Sequence, residues 1–211
     1  MLILQIILSA GLSYLIGAIP TGYLFGKYLK GIDIRQHGSG NMGATNVLRV
    51  LGKGPGAAVL ILDIVKGIIP TTLIASLCNM ESISARVFLG VVAVAGHNWT
   101  VFLNFKGGKG IATSLGVLIG LTIAVHAIRP VLFYTLLSWI IIFALSGYVS
   151  LASIIAATVL PVAAVLTYQD IVIIFLGIVF CLFVVIRHRP NIKRLLKGEE
   201  SRIFRPFWKR K

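Results

Sequence analysis

Val149–Tyr168 reads VSLASIIAATVLPVAAVLTY, without one charged side chain. A bilayer's hydrocarbon core is crossed by about 20 such residues in a helix. Working outward, comparable apolar runs occupy about Leu2–Phe25, Pro55–Cys78, Ile83–Leu103, Ile111–Ala127, Val131–Leu145 and Ile171–Ile186, separated by short polar links. Hydrophobic residues make up 57% of the 211 and charged residues 12%. A soluble domain of this size could not hide that much apolar side chain from water. The reading is an all-α integral membrane protein, one domain over residues 1–211, with seven transmembrane helices and a basic tail over about 187–211.

The formal net charge of +14 raises nucleic acid as a partner, but the cations sit in links and one tail, where topology accounts for them. Lys and Arg collect on the cytoplasmic side of short loops. With the tail inside, Lys27, Lys30, Arg35, Arg49, Lys53, Lys106 and Lys109 are cytoplasmic, only Arg86 and Arg129 lie outside, and Lys66 falls within a span. The first run has no basic residue before it, and Lys27 and Lys30 follow it, which fits an uncleaved span with its N-terminus outside rather than a signal peptide. This topology predicts a site at the cytoplasmic face, where Gly38–Asn46, Lys106–Gly110 and the tail can converge.

Gly38-Ser39-Gly40-Asn41-Met42-Gly43-Ala44-Thr45-Asn46 is too polar and too small for a core. Glycines let backbone N–H groups approach a ligand, Ser, Asn and Thr add hydrogen bonds, and Arg49 comes within reach if the chain turns helical after Thr45. The string matches G-x-G-x-x-G, but a dinucleotide site needs a preceding strand and an acidic residue about 20 positions on. Here a membrane span precedes it and Asp63 lies inside the next span. Lys106-Gly107-Gly108-Lys109-Gly110 lacks P-loop spacing, yet two lysines among glycines at a helix start suit an anion. Asp63 and Lys66 are spaced to pair on one helix face; a charge in a span points to function by default, with Lys66 the better placed to meet a substrate. His97 and His188 stand where spans meet polar segments, His188 between Arg187 and Arg189 with Asn191 three residues on. Ser150 and Ser153 open the sixth run near the same face. Trp99, Tyr148, Phe204, Phe207 and Trp208 read as interfacial anchors, and Cys78 and Cys181 as packing residues.

The absences narrow the chemistry. The six acidic residues are too dispersed for a Mg²⁺ or Zn²⁺ cluster. No His precedes an Asp by five positions, and no cysteine or G-x-S-x-G serine is presented as a nucleophile. What remains is polar and cationic chemistry on anionic substrates beside lipid.

Three segments, Gly38–Asn46, His97 with Phe105-Lys-Gly-Gly-Lys-Gly-Ile-Ala-Thr113, and Arg187-His-Arg-Pro-Asn-Ile-Lys-Arg-Leu-Leu-Lys-Gly-Glu199, resemble the signature segments of the bacterial acyl-phosphate:glycerol-3-phosphate acyltransferases. The resemblance spans essentially the whole chain. It implies transfer of a fatty acyl group from acyl phosphate to the 1-hydroxyl of glycerol 3-phosphate, giving lysophosphatidate for phospholipid synthesis in the bacterial inner membrane. No metal or other cofactor is required, because acyl phosphate is a mixed anhydride with a good leaving group. On that resemblance Ser39, Arg49, Lys109 and Ser153 are expected to hold the phosphate of glycerol 3-phosphate, and Asn41, Thr45 and Asn46 to orient its glycerol. His188, Asn191 and Lys106 would act on the acyl phosphate, with Lys66, His97, Ser150 and Arg187 completing the substrate site. No residue is an obvious general base, and a phosphate with a second pKa near 6 could take the hydroxyl proton itself. Membrane lipids are the expected surroundings, nucleic acid is not a partner, and the oligomeric state stays open, a monomer included. The competing class, a transporter for a phosphorylated solute, calls for broken midplane helices and an internal repeat; the sequence shows neither. A lipid-binding scaffold would leave Ser39 and Lys109 without a purpose.

Overall fold

A computed structural model describes residues 2–204, and every regular element among them is helical. In chain order these are α1 (Leu2–Ala18), α2 (Thr21–Lys30), α3 (Ala44–Leu51), α4 (Lys53–Ile69), α5 (Ala75–Leu77), α6 (Ile83–Asn98), α7 (Ile111–Ala124), α8 (Arg129–Ser146), α9 (Val149–Leu166), α10 (Ile171–Arg187) and α11 (Arg189–Leu196). They divide into two units, Met1–Ala124 and Val125–Lys211. Four stretches are long and apolar enough to cross a membrane: Lys53–Leu77, Ile83–Leu103, His126–Ser146 and Val149–Leu166. Two bent pairs, α1 with α2 and α10 with α11, raise the number to six if each is one span. The apolar run at 111–127 is the one that falls short of the seven expected. Its helix has 14 residues, about 21 Å at 1.5 Å per residue, against about 30 Å of hydrocarbon.

In the first unit α1 packs on α6 and α4 on α7, each pair joined through glycines. A Cβ at Gly17 would overlap the Ala93 carbonyl, and one at Gly67 the Thr113 carbonyl; small residues of this kind let helices approach in a lipid phase. The run read as one span over Leu2–Phe25 is broken at Pro20, with a bend of 41° between α1 and α2. Helix ends leave carbonyls without partners. Here the Thr100 hydroxyl donates to the Ala18 carbonyl at 2.6 Å and the Lys66 ammonium to the Ile19 carbonyl at 2.5 Å. Further on, Pro70 cannot donate to the ladder of α4, and Pro70–Ile74 widens to a π-helical turn. The buried Arg86 donates to the Thr71 carbonyl of that turn at 2.6 Å.

In the second unit α8 packs on α9 and α9 on α10. Pro161 sits inside α9 where Gly177 of α10 comes too close to its ring for any side chain. Arg129-Pro130 starts α8, since a first-turn proline forfeits no helical hydrogen bond. The basic tail is described as far as Phe204. After α11, bent 62° from α10, the Ile203 N–H donates to the Gly147 carbonyl at 2.9 Å, Arg202 lies over Tyr148 and Phe204 meets Phe143 edge to face. Tyr148 and Phe204 therefore have protein partners of their own, while Phe207 and Trp208 lie outside the described residues.

Candidate active site

The polar link between α2 and α3 is held by its own side chains. Asp33 accepts from the Arg35 backbone N–H at 3.0 Å and pairs with the Arg35 guanidinium at 2.6 Å. That guanidinium holds the Asp33 carboxyl below its usual value, and lies over the Tyr23 ring. Gly38 and Gly40 then take φ of +60° and +71°, a region L-residues avoid. Asn46, buried in the first turn of α3, closes the loop. Its Oδ1 accepts from the Ser39 N–H at 2.8 Å, and its Nδ2 donates to the Ile34 and His37 carbonyls at 3.2 and 2.9 Å. Asn41 accepts from the Gly43 N–H at 2.8 Å. Asn46 was expected to orient substrate; its amide is turned inward and shapes the loop. Ser39 is exposed, and Thr45 and the exposed Arg49 lie one helical turn apart on α3, as the sequence spacing predicted.

The second loop lies over the end of α6. The Gly107 N–H donates to the Asn98 carbonyl at 3.2 Å and the Gly108 N–H to the His97 carbonyl at 2.9 Å. The Gly108 α-carbon rests on the His97 imidazole so closely that a Cβ would collide with Nε2. Asn104 and Phe105 precede the glycines with φ of +52° and +59°, a costly conformation for side-chain-bearing residues that the Phe105 N–H, donating to Thr100 at 2.8 Å, helps to fix. Lys106 is exposed, Lys109 half-buried, and α7 begins at Ile111. Asn98, overlooked in the sequence, is wholly buried beside Gly110.

Below both loops is the Asp63–Lys66 pair. The Lys66 ammonium is 2.7 Å from Asp63 Oδ1, donates to the Ile19 carbonyl, and is 3.3 Å from the Thr21 hydroxyl. The Thr21 hydroxyl in turn donates to Asp63 Oδ1 at 2.5 Å, and His97 Nδ1 stands 3.8 Å from the same oxygen. Lys66 and His97, both expected at the substrate, are here parts of a buried network.

In the second unit two of the expected residues, Ser150 and Asn191, meet on a carboxylate that sequence reading missed. Glu200 Oε1 accepts from the Ser150 hydroxyl at 2.7 Å and from Asn191 Nδ2 at 2.6 Å, and Oε2 accepts from Arg194 Nε at 2.7 Å. Burial pushes the Glu200 carboxyl up, but those three hydrogen bonds and the Arg194 charge outweigh it and leave the group below its ordinary value. His188, almost fully buried at the bend, donates from Nδ1 to the Val184 carbonyl at 2.9 Å. Ser153 accepts from Trp139 Nε1 at 3.2 Å, and Arg187, half-buried, ends α10. The signal that could have found Glu200 is a carboxylate pair, Glu199-Glu200, in an otherwise cationic segment.

The chain is similar to known proteins over most of its length. The family profile described as glycerol-3-phosphate acyltransferase matches residues 7–198. A glycerol-3-phosphate acyltransferase of Desulforudis audaxviator is 50% identical over 200 residues, covering 94% of this chain and 96% of the relative. One from Gloeobacter violaceus is 44% identical over 196 residues, 92% and 93% of the two chains. Among solved structures, PlsY (YgiH), an integral membrane glycerol 3-phosphate acyltransferase, matches in its glycerol 3-phosphate form with a TM-score of 0.85 at 39% identity, covering 94% of this chain and 96% of that one. Its lysophosphatidic acid form matches with a TM-score of 0.82 at the same identity, covering 94% and 95%.

Proposed function

Because this chain belongs to the glycerol-3-phosphate acyltransferase family, we propose that it transfers a fatty acyl group from acyl phosphate to the 1-hydroxyl of glycerol 3-phosphate, in a bacterial inner membrane. The observation that carries this reading is the pair of glycine-shaped loops, Gly38–Asn46 and Lys106–Gly110, each leading into a helix start, with Arg49 on the helix that follows the first and Lys106 and Lys109 within the second. Backbone amides and cations at helix starts favour phosphate, and every substrate and product of this reaction is a phosphate.

The chemistry needs little beyond binding and charge stabilisation. The glycerol oxygen bonds to the acyl carbonyl carbon, the carbon–oxygen bond to phosphate breaks, and inorganic phosphate leaves with the electron pair. The hydroxyl proton passes to a substrate phosphate oxygen, whose second pKa near 6 suits it as acceptor. Ser39, Arg49 and Lys109 bind the phosphate of glycerol 3-phosphate, Arg49 in two-pronged fashion. Asn41 and Thr45 face the glycerol, with Asn46 ordering their loop. Lys106 meets the acyl phosphate, whose developing oxyanion is the point where fixed donors lower the barrier most. Ser153, His188, Asn191 and Arg187 are the residues of the second unit assigned to the reaction, while Ser150 aligns Asn191 through Glu200. The chain as one seven-helix membrane domain, N-terminus outside and C-terminus cytoplasmic, belongs to the same proposal. α7 is its short crossing, and a thinned bilayer accommodates a short helix at modest cost.

Purified protein given palmitoyl phosphate and labelled glycerol 3-phosphate is expected to make lysophosphatidate. Product from palmitoyl-CoA or an acyl carrier protein, and none from palmitoyl phosphate, would replace the donor. No product from any of the three would remove the acyltransferase assignment.

A further inference from the structure

One buried carboxylate stands under both loops of the first unit. Asp63 Oδ1 accepts from Thr21 at 2.5 Å, is 2.7 Å from the Lys66 ammonium and 3.8 Å from His97 Nδ1. All four side chains are buried, where electrostatic and hydrogen-bond interactions are strong and an unmatched partner is costly. The contacts lead in two directions. Thr21 opens α2, and at the next residue the backbone meets the first loop: a Cβ on Gly22 would overlap the Met42 carbonyl and press on Val47 of α3. His97 ends α6, and its imidazole is the surface on which Gly108 of the second loop rests. Lys66 adds a third hold, on the Ile19 carbonyl at the break between α1 and α2.

We infer that Asp63 is a positioning residue that sets the Gly38–Asn46 loop through Thr21 and the Lys106–Gly110 loop through His97, so that one carboxylate fixes the relative placement of both phosphate-binding loops. A pair that merely neutralised itself would need no third and fourth partner. Here the carboxylate oxygen is shared, and its added partners lead to different loops: Thr21 through the adjacent Gly22, whose backbone abuts Met42, and His97 through its own contact with Gly108. Neither glycine can yield to a larger residue, so a shift of Thr21 or His97 is passed directly to the loop above it. The kinetic side of this inference rests on the proposed acyl transfer; the structural side does not.

The test uses the full chain in detergent with two readouts. Asp63→Leu combined with Lys66→Met removes the carboxylate and leaves no unpaired charge, the arrangement best tolerated when a buried ion pair is replaced. Hydrogen–deuterium exchange is expected to accelerate at least tenfold at the Ser39, Gly40 and Gly43 amides and also at the Gly107 and Gly108 amides, with α9 and α10 unchanged. The KM for glycerol 3-phosphate is expected to rise at least tenfold, with kcat falling less. Wild-type exchange at both loops in a folded variant overturns the inference, whatever the activity. Faster exchange without any acyl transfer by the wild type leaves the positioning role standing and removes the proposed reaction. If the double variant does not fold, Thr21→Val decides the matter, since it introduces no charge. Faster exchange confined to Ser39–Gly43 supports the Thr21 arm, and unchanged exchange there overturns it.

Discussion

The loop at Gly38–Asn46 and the cluster around Glu200 are both ordered by one buried polar side chain, and they use it in opposite ways. Asn46 is neutral and takes three backbone groups, so that Ser39 and Arg49 are left on the outer surface of the loop. Glu200 is charged and takes the side chains themselves, Ser150, Asn191 and Arg194. Order in the first region comes from the chain folding on itself around two left-handed glycines. In the second it comes from a carboxylate brought in from a distant segment. On the proposed reaction, the first arrangement separates holding the loop from binding a ligand, and the second commits the same donors to both. Variants in the two regions should therefore differ in kind.

The largest effect is expected at Glu200. Glu200→Ala leaves Ser150, Asn191 and the Arg194 guanidinium without their acceptor. Charge-assisted hydrogen bonds contribute about 1.5–3 kcal/mol each, not additively, so a loss of about 2–4 kcal/mol in thermal unfolding is expected, with activity falling in proportion to folded protein. A folded, fully stable and inactive Glu200→Ala protein would instead make the carboxylate part of the chemistry.

Arg49→Ala should behave in the converse way. Substitution at an exposed position such as Arg49 usually changes stability by less than about 0.5 kcal/mol, while a lost guanidinium–phosphate contact is worth about 1.5–3 kcal/mol. The KM for glycerol 3-phosphate should rise about 10- to 100-fold with the melting point unchanged. Ser39→Ala, which keeps the backbone bond to Asn46, should show a smaller rise of the same kind. Steady-state kinetics beside a melting curve checks both, and a destabilised Arg49→Ala would erase the contrast between the regions.

The same contrast explains what the sequence made legible. The uncharged run Val149–Tyr168 became α9 almost to the residue, because a helix long enough to cross a bilayer needs only length and apolarity. Asp63 and Lys66 pair as their spacing indicates, since three residues along a helix is a local distance. Thr45 and Arg49 share a face for the same reason. The role of Asn46 was not legible, because an amide that binds a glycerol hydroxyl and one that closes a loop are the same residue in the same string. Glu200 was not legible either: its partners lie 50, 9 and 6 positions away, and only one of those separations is local enough to suggest itself. Pro20 divided a run that hydropathy alone joined, because hydropathy does not register a missing N–H. The sequence separated membrane from link well, and misjudged which polar residues look outward.

The smallest effect is the one that isolates charge in the second region. Glu200→Gln keeps an acceptor for Ser150 and Asn191 but loses the negative charge facing Arg194. Folding holds the wild-type Glu200 carboxyl below the ordinary glutamate value, its hydrogen bonds and the Arg194 charge outweighing burial. A group whose pKa is depressed on folding contributes stability above the unfolded value, and that contribution is lost as pH falls through the folded value. The wild type should therefore exceed Glu200→Gln by about 1–2 kcal/mol from pH 6 to 8, the usual margin of a charge-assisted over a neutral hydrogen bond. The gap should narrow below about pH 4 and close once Glu200 is protonated, because the acid form resembles the amide. Melting curves of the two proteins across that range measure it. A gap that persisted unchanged at the acid end would assign the stabilisation to packing of the tail on Gly147 and Phe143, and the two regions would then be ordered by the same neutral means.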